Sequence, residues 1–215
     1  MGGSKFTMSS YKFYYFQVRG RGECIRLLLA DNNVDYEEID VAPDLETWVK
    51  EWKGKMPFGQ APLLQDGDLE LAQSMAILRH LGRKIGRSGA SIEDRAKLDM
   101  ITEHVEDIRN GYVKMIYTNY EDGKDDYIKE LSGKLKPLDT LLQKWGSDFI
   151  TQSIAFADYN LFDLLDIHLT LSPSCLDDFS TLRKFYEKVL NRPRIKEYRE
   201  SDGFKSRPIN YNRKQ

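Results

Sequence analysis

The chain has 215 residues, of which 40% are hydrophobic and 31% charged, with 32 Lys and Arg against 34 Asp and Glu. This length accommodates one large domain or two small ones, and the hydrophobic content is too high for an intrinsically disordered chain. The formal net charge of −2 argues against a nucleic-acid partner, because no excess of cations is present to neutralise a phosphate backbone. No apolar run approaches the ~18 residues of a membrane-spanning helix, so no association with a membrane is expected.

Residues 1–10 are polar and glycine-rich and contain no apolar core of a signal peptide, so we interpret them as a disordered lead-in or a tag. Two cysteines, Cys24 and Cys175, are too few for a disulfide framework or a zinc site. A reducing, cytoplasmic location is therefore expected.

Residues 11–86 predict the element order βαβαββα. Residues 11–18 are aromatic and β-branched and apolar on both faces, which indicates a strand that is buried on two sides. Asp66-Gly67 is the strongest two-residue hairpin signal in the chain. The other predicted elements are a helix at 23–30, a strand at 34–41, a short helix opening at 42–44, strands at 59–64 and 68–71, and a helix beginning at 73–74.

Beyond a glycine-containing loop at 86–90, which we take as the domain boundary, every periodic segment is helical. Strands followed by helices in separate blocks predict an α+β domain at residues 11–86 and an all-α domain at residues 91–215. The predicted helices lie at 91–120, 125–145, 156–171, 179–190 and 193–201.

Several familiar catalytic arrangements are missing from the sequence. His80, His104 and His168 have no partners at metal-ligand spacing, so no metal site is expected. There is no nucleophile elbow, no phosphate-binding glycine loop and no C-x-x-C pair. Gly20-Arg21-Gly22 by itself indicates only a tight turn.

Two short segments indicate a site for a small anionic, peptide-like ligand. A helix that starts at Gln73-Ser74 presents free backbone N–H groups and a positive dipole end, which suit a carboxylate. Gln60-Ala61-Pro62 is an extended segment that can pair with a peptide backbone, and a cis bond at Pro62 fits this position. Each residue alone also has a structural explanation, Ser74 as a helix cap and Pro62 as a turn residue.

Several motifs in the same order resemble the cytosolic glutathione transferases, and the run through Tyr127 most resembles the pi class. The similarity extends from Tyr11 to Pro208-Ile209-Asn210. The motifs are Tyr15-Phe16, Val18-Arg19-Gly20-Arg21, Gly59-Gln60-Ala61-Pro62, Asp66-Gly67-Asp68, residues 73–81, Val105-Glu106-Asp107, residues 116–120, residues 124–127 and residues 156–159.

This resemblance implies a thioredoxin-like first domain, an all-helical second domain and a homodimer. It also implies an enzyme that joins the thiolate of glutathione, its co-substrate, to hydrophobic electrophiles in detoxification, with no cofactor and no metal. Two alternatives stay open. One is a non-catalytic protein that binds hydrophobic ligands or a signalling partner. The other is a sigma-like glutathione-dependent prostaglandin isomerase.

The resemblance also implies the residues of the site. Tyr15, which the strand pattern alone would assign to the core, donates a hydrogen bond to the glutathione sulfur, and Arg21 lies beside it. A thiol pKa of ~8.5 that falls by about 2 units makes thiolate the main form at pH 7. The other implied glutathione contacts are Trp48, Lys53, Gln60, Ala61, Pro62, Gln73, Ser74 and, across the dimer interface, Asp107. Trp52 is a competing alignment for the tryptophan.

The implied electrophile pocket consists of Phe16, Val18, Val113 and Tyr117, and Phe58 is the aromatic key that inserts into the partner subunit. Tyr117 is either a polarising phenol or a plain aromatic wall. Two departures from the family pattern stand out. His104 replaces a small residue near the dimer seam, and Ala155 lacks the hydroxyl of a helix capping box, which predicts a less stable second domain.

Overall fold

The computed structural model describes residues 11–215, so the predicted lead-in at residues 1–10 lies outside the described residues. Its four strands are β1 (Tyr11–Tyr15), β2 (Tyr36–Asp40), β3 (Leu63–Asp66) and β4 (Leu69–Ala72). They form one sheet in the order β2-β1-β3-β4, in which β1 and β2 are parallel and the other two pairs are antiparallel. The predicted order βαβαββα is confirmed.

The helices of the first block are α1 (Glu23–Asp31), α2 (Leu45–Thr47) and α3 (Ser74–Lys84). Between α2 and β3 the chain continues through a π-helical turn, Trp48–Trp52, and a 3-10 turn, Lys53–Lys55. The helices of the second block are α4 (Ile92–Thr118), α5 (Tyr120–Trp145), α6 (Phe156–Leu171), α7 (Ser180–Leu190), α8 (Pro193–Glu200) and α9 (Asp202–Ser206). An α+β domain followed by helices is therefore confirmed. Within residues 11–215, no helix combines the length and the apolar character needed to cross a membrane.

Strand β1 differs from its prediction, because only one of its faces is fully buried. Tyr11, Phe13 and Tyr15 face the core, whereas the side chain of Lys12 is exposed and pairs with a glutamate. Tyr14, on the same face as Lys12, is half covered by Trp52, with 5.6 Å between ring centroids. The hairpin turn also shifts by one residue. Asp66 pairs with Leu69, so the two loop residues are 67 and 68.

Helix α5 begins five residues earlier than its periodicity predicts. Only Asn119 separates it from α4, and its first turn is held by contacts with the C-terminus. Tyr120 Oη donates to the Gln215 carbonyl at 2.6 Å, and Lys124 Nζ donates to the same oxygen at 3.2 Å. Because these contacts join residues far apart in the chain, no local pattern predicts them.

Helix α6 forms the junction between the two domains, and nearly all of its residues are buried. It packs against α1 and α3 of the first domain and against α4 and α7 of the second. Buried polar contacts join the domains: Tyr159 Oη donates to Asp31 Oδ2 at 2.7 Å, and the Arg19 guanidinium donates to Asp166 at 2.5 Å. The first domain is therefore fixed against the helices by directional bonds as well as by apolar contact.

The start of α6 shows the missing half of the capping box. Asp158 accepts backbone hydrogen bonds from Ala155 at 2.8 Å and from Ile150 at 2.9 Å. The N-cap residue, Ala155, has no side-chain oxygen that could accept a hydrogen bond from the first turn. The carboxylate half of the box is therefore present without the hydroxyl half.

We expect Ala155→Ser to raise the free energy of unfolding by about 1 kcal/mol, because the new hydroxyl accepts a hydrogen bond from the first turn of α6. For a chain of this size that corresponds to a rise of ~2–4 °C in the melting temperature, measured by calorimetry. A cavity of 230 Å³ beside Ala155 has room for the added atom. Ala155→Val, which adds volume without an acceptor, is the matched control and gives no rise. An unchanged or lower melting temperature for the serine variant contradicts the prediction.

Candidate active site

Three cavities lie around Tyr15 and Arg21: Arg21 lines one large cavity, Tyr15 lines another, and both residues line a smaller one. We call the first the polar cavity. It has a volume of 380 Å³, and its walls contain six predicted glutathione contacts, namely Arg21, Gln60, Ala61, Pro62, Gln73 and Ser74, together with the predicted dimer key Phe58. We call the second the apolar cavity. It has a volume of 290 Å³, and Tyr15, Phe16, Val18 and Tyr117 line it. A smaller cavity of 150 Å³, which Tyr15, Arg21, Val113 and Tyr117 line, lies between α4 and the Tyr15 loop.

The N-terminus of α3 supplies one end of the polar cavity. Gln73 is the N-cap residue and Ser74 the first helical residue, and no side-chain hydrogen bond caps the helix. The alternative explanation of Ser74 as a helix cap is therefore wrong, because its side chain does not cap α3. Gln73 has φ = 70°, a left-handed conformation that costs a non-glycine residue energy and is concentrated at functional sites. The free backbone N–H groups of α3, the Gln73 amide and the Ser74 hydroxyl therefore lie together at the helix N-terminus, which suits an anion.

The segment before β3 supplies the opposite wall of this cavity. The Ala61–Pro62 peptide bond is cis, as predicted. Pro62 is buried, whereas Gln60 is exposed. An extended backbone followed at once by β3 suits pairing with a peptide-like ligand.

Helix α4 holds the guanidinium of Arg21. One of its nitrogens is ion-paired with Glu106, and Nη2 donates to Asn110 Oδ1 at 2.6 Å. Glu106 and Asn110 also line the polar cavity, and the sequence analysis assigned neither of them to the site. Their spacing of four residues on a predicted helix puts both on one face, which is the signal that could have found them.

Tyr15, the last residue of β1, lines the apolar cavity and the smaller cavity. It is 5% exposed, and its Oη accepts a hydrogen bond from the Arg21 backbone N–H at 2.8 Å. Burial raises the pKa of the Tyr15 phenol above its usual value, so the hydroxyl keeps its proton at neutral pH. With its oxygen already accepting the Arg21 N–H, the phenol presents its own hydrogen as a donor.

Glycines at 20 and 22 make room for the Tyr15 ring. A Cβ at Gly20 would stand 2.6 Å from Tyr15 Oη, and a Cβ at Gly22 would stand 2.5 Å from Tyr15 Cδ1. Gly20 also has φ = +42°. The glycine pair that indicated only a turn in the sequence is therefore required by the close approach of Tyr15.

The apolar cavity is built from aromatic rings. Phe16 contacts Trp48 edge to face, with 5.1 Å between ring centroids, and it contacts Tyr211 at 6.5 Å. Tyr211 and Leu45 were not predicted as site residues. Tyr211 comes from the C-terminal segment, which carries no periodicity that would place it here.

The structure does not bring Trp48 and Lys53 into the polar cavity. Trp48 lines the apolar cavity, and Lys53 is exposed in the 3-10 turn beside Gly59. Trp52, the competing alignment, packs on Tyr14 behind the sheet. The predicted contact of Trp48 and Lys53 with a carboxylate therefore has no counterpart in the walls of the polar cavity.

The residues predicted to act through a second subunit lie on the surface of the single chain. Phe58 is 66% exposed, and Asp107 is exposed on α4. His104 Nε2 is buried without a hydrogen-bond partner among the described residues. A homodimer stays a prediction, because these features concern one chain only.

The protein's own thiols are poor nucleophiles. Burial raises the pKa of Cys24, and it raises the pKa of Cys175 to about 11, so both stay protonated at neutral pH. Among residues 11–215, no group of three or more His, Cys, Asp or Glu could hold a metal ion.

The comparisons with known proteins agree with this geometry. A family model described as glutathione S-transferase, N-terminal domain, matches residues 11–83, and one described as glutathione S-transferase, C-terminal domain, matches residues 106–202. Glutathione S-transferase P of Capra hircus is 48% identical over 212 residues, which cover 97% of this chain and 100% of the relative. The human protein of the same name is 47% identical with the same coverage.

A solved structure shows the same fold. The pi-class glutathione S-transferase of Onchocerca volvulus superposes with a TM-score of 0.90 and 41% identity, covering 96% of this chain and 100% of that one. The glutathione S-transferase of Ascaris lumbricoides superposes with a TM-score of 0.78 and 33% identity, covering 87% and 95%. The chain therefore belongs to the glutathione S-transferase family, with a thioredoxin-like first domain and a helical second domain, and its similarity is to the pi class.

Proposed function

We propose that this enzyme transfers the thiolate of glutathione to hydrophobic electrophiles, with Tyr15 as the catalytic donor. The observation that carries the proposal is the position of the Tyr15 hydroxyl. Tyr15 lines the apolar cavity, which suits an electrophile, and its Oη is bonded to the backbone of Arg21, which lines the polar cavity, where an acidic tripeptide fits. Its oxygen already accepts the Arg21 N–H, which leaves its hydrogen to donate to a bound ligand.

Tyr15 would act by stabilising the thiolate rather than by removing a proton. Burial raises the pKa of the Tyr15 phenol, so the side chain donates a hydrogen bond and is not itself the base. A hydrogen bond to the charged form of a thiol lowers the pKa of the thiol. The side chain of Arg21, held by Glu106 and Asn110, adds a positive charge close to the Tyr15 phenol.

The polar cavity would orient glutathione by its charged ends. The γ-glutamyl carboxylate fits the N-terminus of α3 with Gln73 and Ser74, and the cysteinyl backbone fits Gln60, Ala61 and Pro62. We assign the glycyl carboxylate to Lys53 and Trp48 on the family resemblance alone, since neither lines the polar cavity. Glutathione is then a co-substrate, and the reaction uses no metal or cofactor.

The electrophile would bind in the apolar cavity against Phe16, Val18 and Tyr117, with Val113 in the adjoining small cavity. Tyr117 is half exposed and lines both cavities. Its phenol therefore stands where it can donate a hydrogen bond to an oxygen of a bound electrophile.

We further propose that the active enzyme is a cytoplasmic homodimer. Phe58 is a large exposed apolar side chain at the rim of the polar cavity, which suits insertion into a partner subunit. Asp107 would then reach the glutathione amine in the neighbouring active site. His104, with its unpartnered Nε2, would lie at this seam.

The test is a glutathione-conjugation assay with 1-chloro-2,4-dinitrobenzene, which follows formation of the aryl thioether by absorbance. Turnover that saturates in both substrates supports the proposal. An inactive protein at saturating glutathione contradicts it. Binding of a hydrophobic dye without turnover would then favour the non-catalytic binding protein.

Gly22→Ala is expected to lower kcat/KM about 100-fold, because a shift of ~1 Å in a reacting group costs about that much. The added Cβ would stand 2.5 Å from Tyr15 Cδ1 and 2.8 Å from Cε1, so the ring must move. The matched control is Gly133→Ala, whose Cβ meets nothing within 4 Å and which keeps full activity. Parent-like kinetics for Gly22→Ala would show that the glycine is not needed to position Tyr15.

A further inference from the structure

The C-terminal segment, residues 207–215, is anchored to the loop that follows Tyr15. The backbone N–H of Arg19 donates to the Pro208 carbonyl at 2.9 Å, and that of Gly20 donates to the Ile209 carbonyl at 3.0 Å. Asn210 Nδ2 donates to Tyr112 Oη on α4 at 2.7 Å. These three hydrogen bonds hold the segment against α4 and the loop that follows Tyr15.

Tyr211 contributes two groups to the apolar cavity from this anchored segment. Its ring lies on the cavity wall at 64° to the ring of Phe16. Its backbone N–H donates to Tyr117 Oη at 3.1 Å. On the far side of Tyr211, Asn212 Nδ2 donates to the Ile116 carbonyl at 3.0 Å, so the chain is fixed on both sides of the residue.

The hydrogen bond from Tyr211 determines what Tyr117 can do. A phenol carries one hydrogen and two acceptor positions. Because the Tyr211 N–H occupies an acceptor position, the hydrogen of Tyr117 is left to donate. An N–H donated to a phenol oxygen also stabilises negative charge on that oxygen, so it makes the O–H a stronger donor.

We infer that Tyr211 is a specificity-determining and positioning residue: its ring favours electrophiles that carry a flat aromatic group, and its N–H orients the Tyr117 hydroxyl toward the carbonyl oxygen of an α,β-unsaturated ketone. This inference rests on the proposed function and adds a residue to it. The rings of Phe16, Trp48, Tyr117 and Tyr211 line one cavity of 290 Å³, a volume at the lower end of the range for small-molecule sites. Aromatic rings attract one another in offset-stacked and edge-to-face pairs, so these walls favour a ligand with a flat aromatic group.

The chemistry of this class uses both groups. The glutathione sulfur forms a bond to the β-carbon, and the electron pair of the C=C bond moves to give an enolate. The Tyr117 hydroxyl donates a hydrogen bond to the enolate oxygen. A proton from water then adds to the α-carbon and replaces the one that the thiol lost, so the step balances without an oxidant or a metal.

Two substitutions distinguish the effect of the Tyr211 ring from the effect of its backbone N–H. Tyr211→Ala removes the ring and keeps the N–H, and Tyr211→Pro removes both. Proline fits this position, because Arg213 N donates to the Asn210 carbonyl at 2.9 Å, which makes residue 211 the second residue of a four-residue turn, where proline is favoured. The anchors at Pro208, Ile209 and Asn212 stay in both variants.

The two substrates are 4-phenylbut-3-en-2-one, a flat aromatic enone, and but-3-en-2-one, the same enone without the ring. Tyr211→Ala should raise KM for the aromatic enone about five-fold, as expected for a lost aromatic contact, and should change KM for but-3-en-2-one by less than about two-fold. Tyr211→Pro should lower kcat for both enones about five-fold further than Tyr211→Ala, as expected for a lost hydrogen bond.

In a Tyr117→Phe background, the difference in kcat between the alanine and proline variants should vanish, because no phenol remains to orient. A KM for the aromatic enone that is unchanged in Tyr211→Ala overturns the role of the ring. Equal kcat values for the alanine and proline variants, or a difference that persists without the Tyr117 hydroxyl, overturn the positioning role. A parent that fails to conjugate 1-chloro-2,4-dinitrobenzene instead rejects the proposed function itself.

Discussion

Tyr15→Phe is expected to lower kcat/KM for 1-chloro-2,4-dinitrobenzene about 50-fold at pH 6.5. The substitution removes the hydroxyl that we propose as the donor to the sulfur and keeps the ring. A bound thiol whose pKa lies about 2 units below ~8.5 is half ionised at pH 6.5, whereas one at ~8.5 is about 1% ionised. The loss should therefore shrink as the pH rises and disappear above about pH 9, where both enzymes hold thiolate.

The measurement is the pH profile of kcat/KM for the parent and the variant. The matched control is Tyr14→Phe, the neighbouring tyrosine of β1. The Tyr14 hydroxyl donates to Gln65 Oε1 at 3.1 Å on the opposite face of the sheet, so its removal should leave the profile unchanged. A Tyr15→Phe enzyme with the parent's profile would show that another group ionises the thiol.

Arg26→Met is expected to lower the free energy of unfolding by about 3–5 kcal/mol, because it leaves a buried carboxylate without its partner. The Arg26 side chain is fully buried. Its guanidinium lies 3.1 Å from Glu23, which is equally buried, and 2.6 Å from Glu38. It also donates to the carbonyls of Val18 at 2.8 Å and Phe16 at 3.2 Å, so it ties α1 to the loop that follows Tyr15. A methionine of similar length fills the space and makes none of these bonds.

The expected fall in melting temperature is on the order of 10 °C, measured by calorimetry. The double variant Glu23→Gln/Arg26→Met should recover part of it, because the uncompensated charge is then gone. Lys50→Met is the control. Its exposed ion pair with Glu46 should leave the melting temperature within about 1 °C of the parent. A fall of less than about 2 °C for Arg26→Met would contradict the role of the buried cluster.

Local patterns predicted an element correctly where the residues that determine the element lie within a few positions of it in the chain. Helix α6 begins at Phe156 as expected, because the Asp158 carboxylate accepts the Ala155 N–H three residues away. The start of α5 was predicted too late, because its first turn depends on a contact between Tyr120 and Gln215 at the other end of the chain. The two-sided burial of β1 was wrong, because the covering of Tyr14 by Trp52 extends to only part of that face.

The candidate site divides in the same way. Gln60, Pro62 and Gln73 could be assigned from a helix start, a proline and a family resemblance. The spacing of Glu106 and Asn110 indicates that they share a helix face, but it does not indicate that this face meets Arg21, which lies 85 and 89 residues earlier in the chain. Tyr211 lies 94 residues beyond the phenol to which it donates.

By itself, the sequence determined the two-block architecture and the family, because periodicity and motifs are read within one element at a time. Only the tertiary structure decided which side chains line each cavity and which groups they contact. Packing of α4 and the C-terminal segment against the Tyr15 loop fixes Arg21 in an ion pair and orients Tyr117. It also moves Trp48 from the polar cavity, where the resemblance placed it, to the apolar one. These contacts join distant segments, so their geometry arises from packing and leaves no local pattern in the chain.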